Sequence, residues 1–132
     1  MIIPMKGIEI IFLAAGGLAG VFLRYGMTKS MLLIGALPVN VLIVNIVGSF
    51  ILGSFAILSQ QWNLDQKYAL LVAMGFCGGL TTMSSFALES VNLIDAKQYS
   101  LVMITIIANV GLSLAAIFGG RALTSVILGA LK

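Results

Sequence analysis

The chain contains no histidine, one cysteine, four carboxylates and two prolines in 132 residues. Without imidazole there can be no Cys₂His₂ zinc site and no Ser-His-Asp or Cys-His nucleophile system, and a lone cysteine cannot build a disulfide framework. Enzyme chemistry that depends on histidine or on paired cysteines is thereby excluded. Charge is scarce as well: 8% of residues are charged, against about 25% in an ordinary domain, too few to clothe a globule of this size in solvated side chains. What the chain has instead is apolar surface, with 61% hydrophobic residues and a further 15 glycines. The solvent that fits this composition is a lipid bilayer.

A helix needs about 20 apolar residues to cross the hydrocarbon core. The uncharged gaps in the sequence fall at 10–23, 30–64, 68–88 and 98–120. The first becomes long enough when extended to 8–25, because terminal Glu9 and Arg24 can reach the interface. Pro38 divides the second, since proline suits a first helical turn and disfavours helix in the residue before it. The expected architecture is a single all-α integral membrane domain over 1–132, with spans near 8–25, 37–58, 68–91 and 99–119. Residues 59–66 read as an interfacial loop anchored by Trp62, and 92–98 as the next loop. The stretch 121–132 reads as an amphipathic or fraying tail. Lys6 ahead of an apolar stretch also resembles a signal peptide, but further membrane segments follow it, which favours a span.

With four spans, Lys6, Lys67, Arg121 and Lys132 share one face, and Arg24, Lys29 and Lys97 the other. Orientation follows the Lys/Arg bias between faces, and four against three is almost no bias. Insertion in both directions makes an antiparallel homodimer possible, with its two-fold axis in the membrane plane. One orientation fixed by subtler features is the alternative.

Between helices in lipid, association depends on close packing of small residues and on hydrogen bonds. Gly16 and Gly20 form a GxxxG pair, and Ser49 with Gly53 repeats the spacing; packing accounts for both. Asn45 with Ser49 and Asn109 with Ser113 each set an amide and a hydroxyl on one helix face. Such a stripe serves either as interhelical glue or as a polar pathway. The third span carries Gly75-Phe76-Cys77-Gly78-Gly79-Leu80-Thr81-Thr82-Met83-Ser84-Ser85-Phe86 at its centre. Adjacent glycines and β-branched threonines are weak helix formers, so a break is expected here, with a packed kink as the alternative. Unpaired backbone in lipid must be buried in protein or line a cavity. Freed carbonyls suit a small hard cation, and N–H groups opening the second half suit an anion. The first three spans hold no carboxylate between residues 10 and 23, 37 and 58, or 68 and 88, whereas cation paths usually have them. Asn, Ser, Thr and Arg24 donate hydrogens, and Phe76 and Phe86 can present electropositive ring edges. The permeant species suggested is a small anion.

These residues resemble the fluoride-exporting channels of the Fluc or CrcB type. The likeness covers nearly the whole chain. It rests on the Gly-Gly-Leu-Ala-Gly run before Leu23-Arg24-Tyr25, on Val44-Asn45-Ile46-Val47-Gly48-Ser49-Phe50, on Gly75 to Thr82 and on Ala108-Asn109-Val110-Gly111-Leu112-Ser113. The resemblance implies an antiparallel dual-topology homodimer in the inner plasma membrane, with two fluoride pores lined by both subunits. It implies a structural sodium ion on the central axis, held by the backbone carbonyls of Gly78 and Thr81. Asn45, Phe86, Ser84, Ser85 and Ser113 match pore positions, Arg24 the arginine of the first helix, and Glu89 a carboxylate near a pore mouth. With them, Asn109 and Met83 complete the expected fluoride pathway. Met83 departs from the family, which commonly has phenylalanine there; methionine lacks a fixed ring edge. Fluoride, the bilayer and a second copy of the chain are the expected partners, and nucleic acid is not. A proton-coupled multidrug exporter, the rival reading, needs a carboxylate at mid-span, and neither Glu9 nor Glu89 is central. An assembly subunit without transport activity is a third reading.

Overall fold

The computed structural model describes residues 3–132. Among these residues four helical spans are long and apolar enough to cross a membrane: Gly7–Thr28, Asn40–Gln61, Gln66–Asp95 and Tyr99–Ala130. The first is helix α1 (Gly7–Thr28), at whose start the Lys6 backbone N–H donates to the Glu9 carboxylate at 2.9 Å and the Glu9 N–H to the Lys6 carbonyl at 3.0 Å. A short antiparallel pair follows, β1 (Leu33–Ile34) and β2 (Leu37–Pro38), with Leu33 opposite Pro38 and Ile34 opposite Leu37. Gly35 makes its turn possible with φ +62°, a value that costs an L side chain energy but not glycine.

Helix α2 runs over Asn40–Gln61, so it begins three residues later than the expected start near Leu37. Pairing of Leu37 and Pro38 with β1 takes those residues out of helical geometry. Asn40 then ties the loop down. Its carboxamide accepts from Leu32 N–H at 2.7 Å and donates to the carbonyls of Met27 at 2.9 Å and Ser30 at 2.7 Å. The buried amide thereby satisfies backbone left open by the end of α1. Asn63, with φ 46°, turns the chain after α2.

The third span is composite. Helix α3 (Gln66–Ala69) is capped by Asp65, whose carboxylate accepts from Lys67 N–H at 3.0 Å. A π-helical segment (Leu70–Cys77) leads into the single turn α4 (Gly78–Leu80). Thr81 and Thr82 are extended, with φ, ψ of −79°, 154° and −152°, 119°, before α5 (Met83–Asp95) begins. Helix α6 (Tyr99–Ala130) has 32 residues, about 48 Å of helix against a core of about 30 Å. The tail expected from residue 121 is thus helical. The Gly119-Gly120 pair does not end α6, because Gly120 is buried against α2, facing the carbonyl of Phe50 and the Ser54 side chain.

Glycine contacts reveal two parallel helix pairs. Gly16 and Gly20 of α1 bring its backbone onto the carbonyls of Leu71 and Phe76, while Gly75 and Gly79 receive the backbone of Leu13, Gly17 and Val21. On the other side Gly53 meets Ile117 and Gly120 meets Phe50. The pairs join at Val44 and Leu80, both fully buried, and at Gly48, which accommodates the Thr81 methyl. Small residues act here as van der Waals contacts that lipid cannot compete with. The GxxxG reading of Gly16 and Gly20 as packing residues is what the structure contains. The Ser49–Gly53 pair divides, with Gly53 in packing and Ser49 on a cavity.

Candidate functional site

The extended pair in the third span is held from α2. Asn45 accepts from Thr82 N–H at 2.8 Å through Oδ1 and donates from Nδ2 to the Thr82 carbonyl at 3.3 Å. One side-chain amide thus pairs with both polar groups of one residue, as a neighbouring strand would. The second Nδ2 hydrogen goes to Asn109 Oδ1 at 3.0 Å, and Asn109 Nδ2 donates to the Thr105 carbonyl at 3.0 Å. Thr82 in turn caps α5. Its hydroxyl accepts from Ser85 N–H at 3.2 Å and lies 3.1 Å from Ser85 Oγ and 3.2 Å from Ser84 Oγ. Helix α5 therefore starts inside the span, with the positive end of its dipole pointing toward this junction.

Beside the junction lies a cavity of about 460 Å³ between α2, α6 and the two halves of the third span. Asn45, Ser49, Asn109 and Ser113 supply its polar wall, with Thr81 and Thr82. Leu52, Val110 and Leu114 add apolar wall from the same α2 and α6, and Met83 with Phe86 forms the α5 side. Among the described residues no acidic or basic side chain lines it. Such a surface can offer hydrogen-bond donors, hydroxyl oxygens and one aromatic ring to a guest, but no fixed charge. Met83 is 73% exposed, so most of it faces away from its own chain.

Of the residues singled out from sequence, Asn45, Met83, Phe86, Asn109, Ser113, Gly78 and Thr81 come together around this cavity. Ser84 and Ser85 stand behind it in the Thr82 hydroxyl cluster. Arg24 is half-buried on α1 and does not line the cavity. Glu89, half-buried on α5, keeps Oε2 enclosed without a hydrogen-bond partner. Of the other lining residues, Ser49 was already marked by its i, i+4 pairing with Asn45, whereas the apolar Leu52, Val110 and Leu114 carried no signal, since one helical face implies them only after register is known.

Metal ligation by side chains is not assembled here, since no group of three or more His, Cys, Asp or Glu occurs among the described residues. Two carbonyls are candidates instead. In a continuous helix the Gly78 oxygen would accept from Thr82 N–H and the Thr81 oxygen from Ser85 N–H. Both donors are turned elsewhere, the first to Asn45 and the second to the Thr82 hydroxyl. Gly78 is also exposed, and a side chain there would find nothing nearer than the Ala73 carbonyl at 4.0 Å. An exposed backbone with two carbonyls released from their helical donors is a place that could hold a small hard cation.

The family model described as CrcB-like protein, Camphor Resistance (CrcB), matches residues 11–121. A protein of Nitrosopumilus maritimus (strain SCM1) named fluoride-specific ion channel FluC is 59% identical over 94% of this chain and 98% of its own length. Proteins with the same name from Rhizobium etli (strain CFN 42) and Sulfurihydrogenibium sp. (strain YO3AOP1) are 39% and 40% identical. They cover 88% and 82% of this chain, and 95% and 90% of their own lengths. The relatives are named as ion channels, not enzymes, and both they and the four apolar spans describe a multi-pass membrane protein.

Proposed function

The chain belongs to the CrcB-like family, and on that premise we propose that it is a fluoride-selective channel exporting fluoride passively across the inner plasma membrane. The observation that carries the reading is the cavity itself: a mid-span chamber with a largely apolar wall into which amides, hydroxyls and a phenyl ring are set, and with no carboxylate lining it among the described residues. A proton-coupled exporter needs such a carboxylate, and cation paths usually have one. Hydrofluoric acid enters a cell from an acidic medium as a neutral molecule and dissociates inside, so a passive anion path suffices to lower internal fluoride.

The residues have separate tasks in this proposal. Asn45 has both amide hydrogens committed, so it holds the junction open. The hydroxyls of Ser49 and Ser113 and the remaining amide hydrogen of Asn109 replace water around the ion, joined by the Phe86 ring edge and the α5 dipole. A narrow track of such donors favours a small halide over chloride. Ser84 and Ser85 position the start of α5 through Thr82, and Arg24 acts at a pore mouth, away from the chamber. The pathway is completed by a second, antiparallel copy, giving two pores per dimer. A sodium ion on the shared axis would be held by the Gly78 and Thr81 carbonyls and would bind the two subunits without being transported.

Fluoride-electrode recording of efflux from liposomes holding purified protein tests the reading. Rapid fluoride release with chloride retained is expected. Equal permeation of both ions, or fluoride movement that requires a proton or sodium gradient, would contradict it, and absence of any flux would point to an assembly subunit.

A further inference from the structure

We propose that Arg121 and Gln60 form a second anion site, a vestibule that gathers the permeant ion where the α2–α6 seam reaches the membrane surface. The inference rests on the fluoride reading and adds a residue pair that neither the motifs nor the main cavity contains. A separate groove of about 290 Å³ lies between α2 and α6, with Gln60 and Arg121 as its polar groups and otherwise apolar walls. Among the described residues no carboxylate lines it, so none of them neutralises the guanidinium within the groove. Leu52 borders both this groove and the central cavity.

Helical spacing makes the two chambers parts of one track. On α6, Asn109, Ser113, Ile117 and Arg121 recur every four residues, and on α2 the face that begins at Asn45 and Ser49 ends at Gln60. The two helices run in the same direction, with the Asn45–Asn109 bond at 3.0 Å fixing their register. Arg121 lies 12 residues beyond Asn109, about 18 Å along the axis, beside the last turn of α2, which ends at Gln61. A guanidinium there reaches the water boundary while the rest of the track stays in the bilayer. Its planar set of donors makes charge-assisted hydrogen bonds to an anion, with the Gln60 amide as a neighbouring donor. Local enrichment of a small anion is the consequence.

The test is fluoride efflux from liposomes of neutral lipid, at low and high concentrations of an impermeant salt, for the wild type, Arg121→Gln and Arg121→Lys. The expected result is efflux about fivefold slower for Arg121→Gln at low salt, the factor that a unit charge about 4 Å from the ion gives in water. The deficit should shrink at high salt as the Debye length falls from about 30 Å to about 3 Å, and Arg121→Lys should stay near the wild type. Equal efflux at low salt, or a deficit untouched by salt, overturns the vestibule. So does an effect that appears only when anionic lipid is added, which would make the groove a headgroup site. If Arg121→Gln does not elute as the wild type does, Arg121→Lys and the salt dependence of the wild type decide: a wild-type rate indifferent to screening overturns the proposal. A wild type that carries no fluoride removes the fluoride reading and the vestibule together, whereas conduction without an Arg121 effect removes the vestibule alone.

Discussion

At Asn45 one side chain does the work of a missing strand. Thr82 is 7% exposed, so its N–H and carbonyl would go unpaired without the amide of Asn45, at about 1–3 kcal/mol for each group. Asn45→Ala is expected to lower the thermal stability of the purified protein and to speed amide exchange at Thr82, measured by mass spectrometry. Unchanged exchange there would show that the clasp contributes nothing. Met83 presents a different question. Its exposed thioether occupies the position where the family resemblance leads one to expect a ring, and a phenyl edge contributes about 0.5–1.5 kcal/mol in aromatic contacts. Fluoride efflux should persist in the present protein and differ severalfold in Met83→Phe. Flux in the Phe form alone would mean that the ring is indispensable. Asn45, Asn109 and Ser113 were legible because amides and hydroxyls at i, i+4 are conspicuous in lipid. The commitment of both Asn45 hydrogens was not, since hydrogen-bond partners 37 and 64 residues away have no signature in local spacing.

Helices of this chain associate through glycine, and adjacent glycines separate packing from propensity. A Cβ at Gly120 would meet the Phe50 carbonyl and Ser54, whereas one at Gly119 meets nothing within 4 Å. Gly120→Ala should destabilise the α2–α6 pair by about 1–3 kcal/mol, the usual cost of overpacking, while Gly119→Ala should be neutral or gain up to about 1 kcal/mol in helix propensity. Thermal scans of the two variants in the same detergent compare them directly; equal midpoints would refute the close approach. The same glycine explains why a helix end placed near residue 119 from sequence gives way to a helix reaching Ala130. Propensity penalises the pair, and tertiary contact with α2 outweighs the penalty. The opposite occurs at Leu37, where a residue well suited to helix is drawn into a two-residue strand by its partner Ile34.

A single copy leaves polar surface exposed at a depth where lipid offers no hydrogen bonds. Gly78 stands open, and the chamber holding Asn45 and Ser113 reaches the surface of the chain beside the exposed Met83. Such groups need a protein neighbour, and the near balance of basic residues on the two faces permits that neighbour to be an inverted copy. A cysteine introduced at Lys132 should be labelled by an impermeant maleimide from both sides of the membrane in whole cells and lysed cells, in comparable amounts; the chain's own Cys77 is buried. Labelling from one side alone would rule out dual topology. Replacing sodium by a bulky organic cation should lower the dimer fraction on size exclusion, because a ligand that binds only the assembled form stabilises it by mass action.

Composition by itself determined the solvent, and the placing of the few charges and of Pro38 along the chain gave the number of spans, because burying ions in hydrocarbon is costly. Motif likeness added the family. The course of the backbone through residues 70–82 was decided only in three dimensions: glycines and threonines weaken a helix without saying what replaces it. Docking of α1 against Gly75 and Gly79, together with the grip of Asn45 on Thr82, selects a π-helical stretch followed by two extended residues. Arg121 shows the same division. Its charge was plain in the sequence, but its place at the end of a track beginning at Asn109 needed an unbroken α6 and the register that Asn45 imposes.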